Sequence, residues 1–571
     1  MRTDFTTVEV IKGALIYAAE EMGIALRKSA YSPNIKERMD HSCALFNNRR
    51  ELIAQAEHIP VHLGSMSMAV RDGLEKYTGN LEQGDMILLN DPYISGTHLP
   101  DMTLIAPIFF GEALIGYAAN KAHHTDVGGK APGSLAADAS ELYQEGIIIP
   151  PVKLVKRGRI DDEISSIIKS NVRTPEVQMG DIRAQIAANS LGIRRVHDLT
   201  EINGFDILQS AMDTIIGQSE KMIRKEIKSM PDGLFSAKDF MEMSASSSDY
   251  LTIAVSIKKK DDTLLFDYTG TSEQVDLPIN APLGVTVAGI YYSLISVTDP
   301  SIPVNDGCFR PIKLNVPHGC LMNPIRPAPV AGGNVETSQR NVDVILKAFS
   351  MITPKKVPAA GQGTMNNVTI GGKRIDGSPW TFYETIGGGS GARPTSDGVD
   401  GVHVNMTNTM NTPIESIENY LPIEFNAYRL RPDSGGPGKF RGGCGIERAW
   451  TMTGPKATLS IMAERNLLHP WGLQGGLDGA SGEYTLITRN GHCVKLPSKC
   501  TIEIHDGDML VILTPGGGGF GNPLSREPEN VQHDVINGLV SIESARKNYG
   551  VIIDPRTLKI IEIQRSSDSL A

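Results

Sequence analysis

Asn90-Asp91-Pro92-Tyr93-Ile94-Ser95-Gly96-Thr97-His98-Leu99-Pro100-Asp101 and, further on, Lys121-Ala122-His123-His124-Thr125-Asp126-Val127-Gly128-Gly129 carry the reading of this chain. Between them lie two apolar runs, residues 102–110 and 113–119, separated by Gly111-Glu112, which predict a strand pair. His98 and Asp101 are thereby expected in a loop between strands, and His123 just past the end of the next strand. Loops held at strand ends are where binding groups gather. Upstream, Met39-Asp40-His41 adds a third piece of the same kind. Six of the 13 histidines (His41, His58, His62, His98, His123 and His124) precede residue 125. Imidazole and carboxylate groups in this mixture suit a divalent transition metal. Histidines and aspartates also cap turns, and spacing on a loop does not guarantee convergence. Of the neighbours His123 and His124, only one is expected at a shared site, because adjacent side chains of an extended segment point opposite ways. Asp126 then lies on the side of His124.

Working outward, Thr6-x-x-Glu9 reads as a capping box, followed by apolar residues at helical spacing over 7–29. Residues 62–77 read as a second helix and 85–90 as a short strand. Helical stripes fill 161–229, and strands flank 258–263. Residues 280–299 again look helical. Glycine becomes dense from 354 to 523, with short apolar strands between glycine turns. A polar tail with one helix over 531–549 follows. The fold class expected is multidomain α+β: an N-terminal α/β metal-binding region (1–230), a mixed α/β region (231–353), a glycine-rich, mostly β region (354–523) and a C-terminal helical tail (524–571).

Composition narrows the partners. The 571 residues carry a net charge of −10 and no basic run, so nucleic acid is not an expected partner. The longest apolar runs, such as Met509–Leu513, are strand length and do not span a bilayer. The N-terminus lacks the apolar core of a signal peptide, and the six cysteines include no CxxC, so a cytoplasmic protein with reduced thiols is expected. Gly516-x-Gly518-x-x-Gly521 matches a dinucleotide fingerprint formally, but Asn522-Pro523 follows and no helix starts there. No GxxxxGK[ST] loop is present. Gly389-Ser390-Gly391 is the stretch nearest to a nucleophile elbow, but Gly388-x-Ser390 lacks the glycine at the motif's final position. The amide-rich stretches 361–367 and 398–408, and Glu336, Arg340, Glu415 and Glu464-Arg465, read as turn chemistry and structural charge as readily as site groups.

The two opening stretches closely resemble the hydantoinase B/oxoprolinase family. The resemblance extends through Asp267-Tyr268-Thr269-Gly270-Thr271-Ser272, Gly361-Gln362-Gly363-Thr364, Gly387-Gly388-Gly389-Ser390-Gly391-Ala392-Arg393, Arg431-Pro432-Asp433-Ser434-Gly435-Gly436-Pro437-Gly438 and Pro515-Gly516-Gly517-Gly518-Gly519-Phe520-Gly521. It implies the metal-dependent hydrolytic subunit of an ATP-dependent cyclic amidase that opens hydantoin, 5-oxoproline or lactam rings. A separate A-type ATPase subunit would phosphorylate the amide, so ATP belongs to that partner, in an assembly expected to be α2β2. The resemblance carries Asp40, His98, Asp101 and His123 over as metal ligands, with zinc or manganese favoured. His124 and Asp126 are the expected proton-handling or ligand-orienting groups. Two alternatives stay open: a subunit of an ATP-dependent ketone carboxylase, and a non-catalytic scaffold subunit with a structural metal.

Overall fold

The computed structural model describes residues 4–56, 58–243 and 249–564. Its centre is a seven-stranded antiparallel sheet built from β1 (His41–Asn47), β2 (Leu52–Ala56), β3 (Met86–Leu89), β4 (Asp101–Phe110), β5 (Ala113–His123), β6 (Val152–Lys156) and β7 (Arg159–Ile160), in the order β2-β1-β5-β4-β3-β6-β7. β4 and β5 are the expected strand pair around Gly111, whose φ of 60° makes the tight turn easiest for glycine. Both strands run further than the apolar pattern predicts. Asp101 is the first residue of β4 and His123 the last of β5, so both sit inside the ladder rather than in loops.

Both faces of this sheet are covered, and the period of two decides which side chain meets which cover. Ala44, Phe46, Ile105, Tyr117 and Ala119 pack on Met66, Val70 and Leu74, from and beside the helix Pro60–Gly73. Cys43, Leu45, Ala118 and Ala122 face the helices Phe5–Ser29 and Pro175–Asn203. The first of these helices starts close to where its pattern predicts, but Asp4 caps it, accepting from the amide of Thr7; the expected capping box is not the device used. The helical stretch over 161–229 divides into Asp162–Asn171, Pro175–Asn203 and Phe205–Ser229.

A four-stranded sheet (Gly233–Glu242, Tyr250–Lys260, Thr263–Asp267 and Ile312–Asn315) packs against the helices Leu283–Ser296 and Ser338–Ile352 around a second core. The latter helix is entered through one π-helical segment, Gly333–Thr337. The glycine-rich part forms two antiparallel sheets, one of four and one of five strands, that enclose Val368, Ile370, Trp380, Trp450, Leu510 and Ile512 as a sandwich core. The tail holds two short helices, Pro528–Ile536 and Ile542–Tyr549, instead of one. Gly538 at φ 69° breaks the pattern, and a two-stranded sheet closes the small core behind them. The whole is a mixed α/β, multi-sheet architecture.

Candidate metal centre

Asp101 and His123 are Cα partners across β4 and β5. Their side chains project to the Pro60–Gly73 side, where Asp101 Oδ1 lies 3.0 Å from His123 Nδ1. His98 reaches the same point from the preceding turn, with Nε2 3.1 Å from Asp101 Oδ1 and 3.1 Å from His123 Nδ1. That turn is shaped by Asp91, which caps the short helix Pro92–Ser95, and by Gly96 at φ 74°. All three side chains are buried.

The protonation pattern tests whether a cation fits. His98 Nδ1 is 3.0 Å from the carbonyl oxygen of Ala331. A carbonyl only accepts, so Nδ1 carries the hydrogen and the neutral ring presents a bare lone pair at Nε2. Nε2 then faces a carboxylate oxygen and a second imidazole nitrogen, an arrangement satisfied by a proton or by a cation between them. Donors on an ion bound at roughly 2.0–2.2 Å in tetrahedral geometry sit roughly 3.3 Å apart, close to the spacing seen here. Two imidazoles and a carboxylate therefore form a fitting donor set, and their ligand atoms lie within 4.8 Å of one another.

Asp40 lines the cavity in front of these groups, its carbonyl accepts the amide of His123 at 3.0 Å, and its charge acts on both His98 and His123. Burial opposes charge on Asp101, yet the neighbouring imidazoles of His98, His123 and His62 outweigh it and hold the carboxyl well below its ordinary value. The cavity, about 20 Å³, has room for about one water.

His124 and Asp126 do not line this cavity. The alternation of β5 turns His124 to the other face, where Nε2 meets Gln185 Oε1 at 3.0 Å on the helix Pro175–Asn203. Asp126 accepts from the amides of Gly128, Gly133 and Arg173 and from the Arg173 guanidinium at 2.8 Å, which leaves it anchoring a loop. The structure thus does not bring these two expected proton-handling or ligand-orienting groups to the three-donor cluster.

Other groups enter from afar. His62, on the first turn of Pro60–Gly73, places Nε2 3.4 Å from Asp101 Oδ2 and Nδ1 3.1 Å from Ser42 Oγ. Asn334, in the π-helical segment, points its amide to Asp101 Oδ2 at 3.5 Å. Tyr383, from the glycine-rich part, stacks on His123 with ring centroids 4.7 Å apart, and Arg38 lies over its ring. Glu145 Oε1 accepts from the amides of Val330 and Ala331 at 2.8 and 2.9 Å, anchoring the residue whose carbonyl meets His98. Lys121, two residues before His123, is buried beside Ser65 and Thr97, and burial lowers its pKa to about 7. Histidine content alone pointed to His62; nothing local marks Asn334 or Tyr383.

The glycine run 516–519 is no phosphate cradle. Its four amides donate to Ala480, Gly443, Ala360 and Leu477 carbonyls, so none remains for an anion. Added Cβ atoms on Gly516 and Gly517 would lie 1.8 and 2.0 Å from backbone oxygens. These glycines exist to let loops pack backbone against backbone.

The sequence model of the hydantoinase B/oxoprolinase family matches residues 4–523. The chain belongs to that family. It is 49% identical over 96% of its length to an uncharacterized protein of Methanocaldococcus jannaschii, of which it covers 96%. A putative B-type subunit of a D-/L-hydantoinase from a Pseudomonas strain is 36% identical, with 97% of this chain and 96% of that protein covered. The 5-oxoprolinase 1 of Arabidopsis thaliana is 37% identical over 91% of this chain, which spans 42% of that longer protein. The ATP-dependent caprolactamase of Pseudomonas jessenii has the same fold, with a TM-score of 0.91, 29% identity and 97% of both chains covered. An acetone carboxylase chain shares the fold at a TM-score of 0.91 and 21% identity, over 98% of this chain and 81% of that one.

Proposed function

We propose that this chain is the metal-dependent hydrolytic subunit of an ATP-dependent cyclic amidase. The observation that carries the reading is the convergence of His98, Asp101 and His123 in a buried cluster whose ligand atoms lie within 4.8 Å of one another. Asp40, which lines the same cavity outside the three-donor cluster, is the fourth residue assigned to the ion, and zinc or manganese suits the set. When bound, a divalent ion supplies Lewis acidity and lowers the pKa of water at a neutral working pH.

The chain's own residues do the rest. Ala331 and Glu145 fix the His98 tautomer, and the Tyr383 ring holds His123 in place. His62 takes the proton-handling role, since it bridges Asp101 and Ser42. Three converging donors match the ligand count of a catalytic site that keeps a position open, rather than that of a closed structural one.

ATP is handled elsewhere. An amide is a poor electrophile, and phosphorylation of its oxygen by an A-type ATPase partner would supply the leaving group. The name of the Pseudomonas relative, that of a B-type hydantoinase subunit, supports such a partner, and we place the two in an α2β2 assembly. A cytoplasmic setting agrees with six free cysteines. Among the described residues no helix is long and apolar enough to cross a membrane. The test is to purify the chain with its A-type partner and assay ATP-dependent opening of hydantoin, 5-oxoproline and caprolactam, with metal analysis of the same sample. Ring opening that needs both chains, ATP and metal is expected. Failure on all three rings with metal present would overturn the reading.

A further inference from the structure

The two histidines of the cluster are held differently. His98 has its second ring nitrogen on the Ala331 carbonyl, the usual way in which a ligating imidazole is oriented. His123 turns Nδ1 to Asp101 and His98, and its Nε2 is buried with no hydrogen-bond partner among the described residues. What sets its plane is the Tyr383 ring, stacked on it with centroids 4.7 Å apart and planes 26° off parallel. Stacking is weakly directional beside a hydrogen bond, so the orientation of His123 depends on what fixes Tyr383.

Tyr383 is fixed at its hydroxyl, which donates to Asn367 Oδ1 at 2.9 Å. Asn367 has no freedom to flip its amide, because Nδ2 spends both hydrogens: one on Glu336 Oε1 at 2.7 Å, the other on the Met462 carbonyl at 2.7 Å. Glu336 Oε1 also accepts from the Met365 amide at 2.9 Å. Burial pushes the Glu336 carboxyl up to about 8, so it is a neutral acid at neutral pH. Glu336 lies in the π-helical segment Gly333–Thr337, whose Asn334 points its amide to Asp101 Oδ2 at 3.5 Å. One turn thus reaches both members of the strand pair, Asp101 directly and His123 through Asn367 and Tyr383.

We propose that Asn367 and Glu336 are positioning residues of the metal centre, acting through the Tyr383 hydroxyl to orient the His123 ring. The inference rests on the reading that His98, Asp101 and His123 hold an ion. It gives the amide-rich stretch 361–367 and the buried Glu336 a task beyond turn chemistry. The neighbouring pair offers an internal control. Tyr484 donates to Asn366 Oδ1 at 2.7 Å, the same kind of bond one residue earlier, but its ring belongs to the sandwich core and not to the stack on His123.

The test is cobalt(II) binding to the full chain, read by chelator competition and by the visible ligand-field spectrum, beside thermal melting. Tyr383→Phe keeps the ring and removes its anchor. It should weaken cobalt affinity by roughly 10–100-fold and shift the ligand-field bands, as loss of a ligand-orienting partner does. Glu336→Gln keeps an oxygen for the Asn367 and Met365 donors and should leave affinity and spectrum native, whereas Glu336→Leu should resemble Tyr383→Phe. Tyr484→Phe should lower the melting temperature and leave both cobalt readouts native. Native affinity and spectrum in Tyr383→Phe, or an equal loss in Tyr484→Phe, would overturn the inference and leave the metal centre standing. No cobalt bound by the native chain, or cobalt retained in full by His98→Ala, would bring down the metal reading itself and this inference with it.

Discussion

Asp101 and His123 face each other across two antiparallel strands, with Asp101 Oδ1 and His123 Nδ1 3.0 Å apart on the sheet side that meets the helix Pro60–Gly73. A pair set by strand register is held more rigidly than one set by loops. Asp101→Asn and His123→Ala should each weaken metal binding by about 100-fold or more. Chelator competition reads the affinity, and circular dichroism should show an unchanged fold.

His62 touches Asp101 Oδ2 from outside the three-donor cluster. His62→Ala should therefore retain metal within about tenfold of the native affinity. Turnover with the A-type partner should fall by about 10²–10⁴, as for loss of a general acid–base group. Metal analysis beside kcat separates this from loss of a ligand.

Asp126 is fully buried, and its best partner is the Arg173 guanidinium. Removing one member of such a pair leaves the rest uncompensated. Asp126→Ala should lower stability by about 3–5 kcal/mol in urea unfolding. Metal affinity of the folded protein should stay close to native, because Asp126 holds a loop and not an ion.

Burial pushes the Glu145 carboxyl up to about 8 from its ordinary 4.5. The folded chain then holds a proton that the unfolded chain releases. Stability accordingly falls as pH rises through the window from about 4.5 to about 8, by up to about 1.4 kcal/mol per pH unit from this group. Glu145→Gln keeps an oxygen for the Val330 and Ala331 amides and has no proton to lose. Its melting temperature should exceed the native one at pH 8, with the gap closing towards pH 5.

Glycine positions divide by what a Cβ would meet. At Gly517 it would lie 2.0 Å from the Ser390 carbonyl oxygen, so Gly517→Ala should cost more than about 4 kcal/mol and yield little soluble protein. Gly13, mid-helix, has nothing within 4 Å, and Gly13→Ala should raise stability by about 0.5–1 kcal/mol.

Much of the site was legible because it is local. Asp101 and His123 bracket one hairpin, so an apolar pattern and a glycine turn bring them together; strand alternation admits only one of His123 and His124, and the choice of His123 came from the family resemblance. What escaped was either a boundary or a long-range contact. Apolar periodicity ends before polar residues that still extend the ladder, which is why Asp101 and His123 looked like loop residues. Asn334 and Tyr383 come from other sheets and carry no local mark. Asp126 misled because an aspartate beside two histidines has the composition of a site, while its partner Arg173 lies on a distant segment. The glycine fingerprint at 516–521 failed as a phosphate loop for a reason visible only in three dimensions: its amides are spent on neighbouring loops.

The most direct test is elemental analysis of the native chain and of His98→Ala, purified under the same conditions, with ATP-dependent ring opening assayed on each after addition of the A-type partner. Roughly one divalent ion per native chain, with both ion and activity lost in His98→Ala and the fold intact, is the expected result. Full metal occupancy and full activity in His98→Ala would contradict the metal centre described here.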